Sequence, residues 1–147
     1  MENSKGVAKF QILDSYTKEC TIKIIKKYSI SPNLKNSFRM GFAIINIDKR
    51  RMEGQIELRY EIEIFESDVK VASIYLVMDA LFKASRGTSD DEFEKLLKYN
   101  GAPVLSTICR AYINTISSQS GIPSVILPLI NFEDFFKNPV IEENKVE

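Results

Sequence analysis

Apolar and polar residues alternate along the first half of the chain in runs that predict four strands. From Phe10 to Ile25 the even positions hold Phe10, Ile12, Tyr16, Cys20, Ile22 and Ile24, and the odd ones Gln11, Ser15, Thr17, Glu19, Thr21 and Lys23. A period of two marks a strand with one buried face, and a run this long is expected to carry a bulge near its middle. Tyr28 to Ser37, with Pro32 and two asparagines, reads as a connection that crosses over the sheet rather than turning a hairpin. The second strand spans Phe38 to Ile47, and the polar link from Asp48 to Gly54 forms a hairpin connection into the third. Over Gln55 to Phe65 the pattern is cleanest: Ile56, Leu58, Tyr60, Ile62 and Ile64 share one face, Glu57, Arg59, Glu61 and Glu63 the other. Ser67-Asp68 turns the chain into Val69 to Phe82, apolar on both faces, which predicts a strand that is central or covered by another subunit; subunit contact is the preferred reading.

Beyond Gly87 the period changes. Ser89-Asp90-Asp91-Glu92 has capping-box spacing for a short helix with Phe93, Leu96 and Leu97 on its apolar face, ended by Asn100-Gly101. Pro103 opens a longer helix to about Ser120, with Leu105, Ile108, Cys109, Tyr112, Ile113 and Ile116 as its stripe. Gly121 to Phe132 then carries no charge in twelve residues and has prolines at 123 and 128. Proline fixes φ and removes a donor, so the segment is neither helix nor central strand; it must be covered by a partner or form a binding surface. Asn131 and Asp134 cap a last short helix with Phe132, Phe135 and Phe136, and the charged tail from Asn138 is expected to fray. Strands first and helices after predict an α+β fold: a four-stranded antiparallel sheet, a crossover after strand 1, and helices on one face.

Composition excludes several kinds of chemistry. The chain of 147 residues fits one domain, with an ordered core over residues 8–137 and a tail over 138–147. It contains no histidine, which removes His-based triads and zinc–histidine sites. Cys20 and Cys109 stand in no metal or redox spacing; free thiols suit a reducing cytoplasm, and no cofactor or metal is expected. Nothing approaches a membrane span or the apolar core of a secretory signal, and no nucleic-acid motif is legible. The net charge of zero hides a gradient: residues 1–52 hold 11 Lys/Arg against 4 Asp/Glu, and residues 53–147 hold 9 against 16. Either oppositely charged strands pair within one sheet, or Lys23, Lys26 and Lys27, joined by Arg50 and Arg51, form a basic patch for an acidic partner.

Two stretches carry a resemblance. Phe10-Gln11-Ile12 followed by Tyr16-Thr17-Lys18, and the later set Pro103, Cys109-Arg110, Gly121, Pro123, Leu127, Pro128, Asn131-Phe132 and Phe136, resemble SecB, the bacterial protein-export chaperone family. The resemblance extends over about residues 8–137, with the middle strands similar in pattern rather than in letters. It implies a homotetramer, a dimer of dimers, that binds unfolded or pre-secretory polypeptides without ATP in long apolar grooves. Matched to this chain, the client-binding residues are Ile30, Leu34, Phe38, Met40, Phe42, Tyr112, Ile122, Val125, Leu127, Phe132 and Phe136. Aromatics and Met suit a holdase, since they offer area and adaptability to varied clients. The competing reading of these residues, Met40 and Phe42 above all, is that they are core.

The departures bear on partners. The export chaperone docks a translocase motor ATPase on an acidic sheet; here Glu57, Glu61 and Glu63 remain, while strand 1 bears Lys23, Lys26 and Lys27, and the family's Gly-Gly at the end of strand 4 reads Asp79-Ala80-Leu81-Phe82. A related branch guards the antitoxin of a toxin–antitoxin pair, and the sequence does not choose between the two. Two further readings stay open. One is a non-enzymatic oligomeric scaffold. The other is a small-ligand enzyme with Asp79 as the odd carboxylate, although an inter-subunit hydrogen bond explains that residue more simply.

Overall fold

In the computed structural model, which describes residues 9–27, 33–122, 125 and 127–137 and the backbone of 140–145, four long strands form one antiparallel sheet. They are β1 (Phe10–Ile24), β2 (Leu34–Asp48), β3 (Glu53–Glu66) and β4 (Val69–Ala84), ordered β1-β4-β3-β2. Because β1 and β2 lie at opposite sides of this set, the chain crosses the sheet between them, as the Tyr28–Ser37 linker predicts. Residues 28–32 of that linker, Ile30 among them, lie outside the described residues, and Leu34 to Ser37 already belong to β2.

The turns follow from local chemistry. At β2–β3 the Asp48 carboxylate accepts from the backbone N–H of Arg50 (3.0 Å) and Arg51 (3.2 Å). At β3–β4 two residues suffice: Ser67 and Asp68 both take positive φ, 48° and 68°, the twist that matches a tight hairpin.

β1 departs from simple alternation twice. Its register against β4 shifts between Ile12 and Asp14 and again between Thr17 and Glu19. Each bulge reverses the faces, so Tyr16, opposite Asp79, falls on the other side of the sheet from Phe10 and Ile22. The even-position pattern is therefore corrected between the bulges. β4 is interior to the sheet, flanked by β1 and β3, as one of the two readings of its apolar pattern expects.

The helices cover one face. α1 (Asp90–Leu96) starts at Ser89, whose hydroxyl accepts from the Glu92 N–H at 3.2 Å. Asn100-Gly101 does not end it. The backbone continues through a π-helical turn (Leu97–Gly101) into α2 (Ala102–Gln119), with the Ala102 N–H donating to the Leu97 carbonyl five residues back. Pro103 has no N–H for an α-helical bond, and the wider turn just before it absorbs that loss. Gly101 serves packing instead: a Cβ there would stand 3.3 Å from the Phe82 ring. The positive φ of Gly121, 74°, stops α2, and the Ile122 N–H closes the end on the Ser117 carbonyl at 3.0 Å.

Below the helices, Ile56, Leu58, Tyr60, Ile62, Ile74, Leu76 and Phe82 meet Phe93, Leu97, Leu105, Cys109 and Ile113 in one continuous core. The Tyr60 hydroxyl finds its partner in Ser106 Oγ at 3.1 Å. Burial pushes the Cys109 thiol up to about 12 and raises the Tyr60 hydroxyl as well, so both stay neutral.

The tail differs from expectation. The backbone of Val140–Lys145 forms β5, antiparallel to β2 from Asn36↔Lys145 to Gly41↔Val140, and extends the sheet to five strands.

Candidate functional site: a cleft beside the long helix

After Ile122 the apolar loop folds back over the core. Ile122, Val125 and Leu127 are buried in it. Arg110 of α2 donates to the Leu127 carbonyl at 3.2 Å and so pins the descending strand of the loop to the helix. Beyond that point the loop lifts. Leu129 is 83% exposed, and Ile130 is half-buried. α3 (Phe132–Phe135) then begins at Asn131, whose side-chain oxygen accepts from the N–H of Glu133 (3.0 Å) and Asp134 (3.2 Å).

Between the lifted loop and α2 lies an open cleft of about 590 Å³, with Tyr99, Pro103 and Arg110 on the helix side and Leu129, Ile130 and Phe132 on the loop side. Its floor continues into an aromatic cluster. Phe136 meets Phe42 edge-on at 4.8 Å and Tyr99 at 5.4 Å, Phe132 and Phe135 complete the group, and Lys98 stands 6.0 Å above the Phe136 ring.

The expected client residues separate into three sets. Phe42, Phe132 and Phe136 are half-buried and adjoin one another at the cleft. Phe38, Met40, Ile122, Val125 and Leu127 are buried in the core of the single chain, and Leu34 is half-buried against it. Tyr112 is half-buried against the core on the side of Cys20 of β1 and does not line the cleft. Tyr99, Leu129 and Ile130 line the cleft without having been singled out, and Arg110 was marked only as part of the resemblance. Leu129 and Ile130 sat in the loop already marked as apolar; for Tyr99 the signal was an aromatic one turn before Pro103, off the buried stripe.

The outer face of the sheet is built from charge. Glu57, 4% exposed, accepts from Lys18 Nζ at 3.0 Å and from Arg59 at 2.8 Å. Burial alone would raise the Glu57 pKa, but those two hydrogen bonds outweigh it and hold the carboxylate below its ordinary value. Glu61 pairs with Arg39 at 3.4 Å and Glu63 with Lys70 at 2.5 Å, while Lys49 meets Asp90 at 3.1 Å. Lys18–Glu57, Arg39–Glu61 and Lys49–Asp90 join the basic first part of the chain to the acidic remainder. Lys23, Lys26 and Lys27 are exposed at and beyond the end of β1.

Asp79 stands opposite Glu57 across β3–β4, an unfavourable juxtaposition offset by separate partners. Its Oδ2 accepts from Gln55 at 2.8 Å and from the Tyr16 hydroxyl at 3.3 Å, while its buried Oδ1 finds no partner among the described residues.

A crossover after β1, helices on one face and a proline-bearing loop that closes a cleft define a SecB-like α+β fold. In particular, the chain is similar to the Rv1957 SecB-like chaperone of Mycobacterium tuberculosis, solved in complex with a ChAD peptide from the Rv1956 HigA1 antitoxin. The TM-score is 0.72 at 14% identity, covering 84% of this chain and 91% of that one. A protein of unknown function from Streptococcus agalactiae, 16% identical, covers 82% of this chain and 97% of its own, but at a TM-score of 0.41. No family model and no curated protein matches the sequence. Among the described residues no helix is long and apolar enough to cross a membrane.

Proposed function

We propose that this protein is an ATP-independent holdase of SecB type, a non-enzymatic chaperone that binds unfolded polypeptide in the cleft beside α2. The observation that carries the reading is the exposed Leu129 set against Tyr99 and Phe132 over an aromatic floor. An apolar side chain held almost wholly in solvent beside a preformed cleft gains free energy when an apolar chain covers it. Leu34, Phe42, Phe132 and Phe136 form the accessible part of the client surface. Ile30 belongs to the same proposal, while Phe38, Met40, Ile122, Val125 and Leu127 support the surface from beneath, and Tyr112 acts on the other flank.

Among clients, an antitoxin-like segment is favoured over export. The similar Rv1957 chaperone was solved with an antitoxin peptide. The carboxylates that would dock a motor, Glu57, Glu61 and Glu63, are each engaged by a cation of the same face, which leaves little acidic field for a basic partner. Lys23, Lys26 and Lys27 are the remaining candidate docking patch. The proposal includes a homo-oligomer in the cytoplasm, with self-association through the β1 edge, where Ile12, Leu13, Ile24 and Ile25 are exposed.

The test is size-exclusion chromatography with light scattering, with and without a carboxymethylated, permanently unfolded protein. Co-elution of an oligomer with the unfolded chain, without nucleotide, is the expected result. An oligomer that ignores the unfolded chain would leave the scaffold reading. Tyr99→Ser with Leu129→Ser should weaken binding about tenfold, or about 1.4 kcal/mol, without loss of fold.

A further inference from the structure

β5 is the least secured strand of the sheet. It pairs with β2 alone, its six residues lie against the fifteen of β2, and it covers Asn36 to Gly41. Its sequence, Val-Ile-Glu-Glu-Asn-Lys, is poor in strand formers beyond the first two positions. Backbone pairing joins it to β2, and any extended chain can offer the same donors and acceptors.

Its position links it to the cleft. Where β5 begins, Val140 stands opposite Gly41, and the next residue of β2 is Phe42, whose ring meets Phe136 at 4.8 Å. Phe42 to Asp48 continue the same edge beyond the last residue paired with β5. An extended polypeptide lying on the aromatic floor thus runs directly onto the β2 edge. The register adds a preference: position 142 stands opposite Arg39, a half-exposed cation that pairs with Glu61.

We infer that the β2 edge is a strand-accepting part of the client site and that residues 140–145 are its resident occupant, displaced when an extended client segment adds to the sheet. The favoured segment carries an acidic residue opposite Arg39. This rests on the chaperone reading above and specifies how that site takes its client. While β5 is seated, only the fraction of molecules with a free edge is competent, and the apparent dissociation constant rises by the reciprocal of that fraction.

The test uses three full-length proteins and the fluorescein-labelled carboxymethylated chain as probe, read by anisotropy. In the first variant, Glu142→Pro with Glu143→Pro, adjacent positions point their N–H groups in opposite directions, so one donor toward β2 is lost. In the second, Arg39→Cys with Glu142→Cys in a Cys20→Ser background locks the opposed pair with a disulfide. The proline variant should bind about threefold or more tighter than the parent. The locked variant should bind about fivefold or more weaker, with affinity restored by reductant. Equal affinity of all three within about twofold would overturn the inference while leaving the chaperone reading intact. Failure of all three to bind would overturn both. If circular dichroism shows the proline variant unfolded, the locked variant with and without reductant decides alone.

Discussion

On the helix-covered face of the sheet, Ile56, Leu58, Tyr60, Ile62, Ile74 and Phe82 are packed into the apolar core; on the opposite face, Val77 and Asp79 are as deeply buried at 4% and 1% exposure, yet none of the described helices lies over them. There the cover comes from the flanking strands, and Tyr16 and Gln55 bond Asp79 directly. Long charged side chains can shield a sheet with their stems while their heads stay wet. The two faces thus reach similar burial by different means. One depends on volume and shape, the other on a lattice of paired charges, and they should fail differently.

The largest contrast is expected from Phe82→Ala on the inner face. Phe82 stacks on Phe10 with ring centroids 5.0 Å apart and lies beneath Gly101, so truncation leaves a cavity under the helix. A loss of about 3–5 kcal/mol in urea unfolding is expected, and a value near that of a surface site would contradict the packing described. Gly101→Val fills the same contact from above and should cost about 1–3 kcal/mol through overpacking. On the outer face, Glu57→Gln should cost about 1–2 kcal/mol at neutral pH.

The pH dependence of that last variant sharpens the comparison. The Glu57 pKa is depressed in the folded state, so its contribution is present above the ordinary value of 4.5 and is lost as pH falls below it. Wild type and Glu57→Gln should therefore converge in acid, whereas Phe82→Ala should keep its deficit at every pH. The turn joining β3 to β4 belongs to neither face. Asp68→Gly, at a φ of 68°, should stabilise the protein by about 0.5–1 kcal/mol. Arg39→Ala, which breaks a pair exposed on both sides, should change stability by only about 0.2–0.5 kcal/mol, readable as a small shift in the urea midpoint.

These faces were unequally legible. Ile56 to Ile64 alternate without interruption because β3 has one continuous register with β4 along that stretch, so a period of two translates directly into burial. Tyr16 misled because two bulges reverse β1 between Leu13 and Lys18, and a pair of bulges leaves the outer alternation in step. Gly101 read as a helix end since glycine usually stops helices, but its φ is helical and its service is to let the Phe82 ring approach. β5 was hidden because Val-Ile-Glu-Glu-Asn-Lys carries no apolar alternation of its own. At the cleft, the loop itself stood out by its lack of charge, whereas the inward turn of Val125 and Leu127 and the outward turn of Leu129 depend on the Arg110 clamp, a contact between residues 17 apart in sequence. Phe42, Phe132 and Phe136 were legible as aromatics near that loop; that Tyr112 does not line this cleft was not, because a helical stripe does not say which neighbour each edge meets.

Phe93, Leu97, Gly101, Leu105, Cys109, Ile113 and Ser117 recur at every fourth position and are all buried. In a regular α-helix, a row spaced by four advances by about 40° per step and would wind off the sheet long before its end. The π-helical turn at Leu97–Gly101 takes up one residue more than an α turn, which sets the row back by about 100° midway. The turn thus holds one residue more than a straight helix would use there. Removing a residue between Lys98 and Asn100 would turn the π turn back into an α turn and leave everything after it in phase, whereas removing one from the regular helix beyond Gly101 would swing the remainder by about 100°. A lineage descended from this chain can therefore lose the bulge at little cost to the buried row, while a change of length farther along α2 is weeded out.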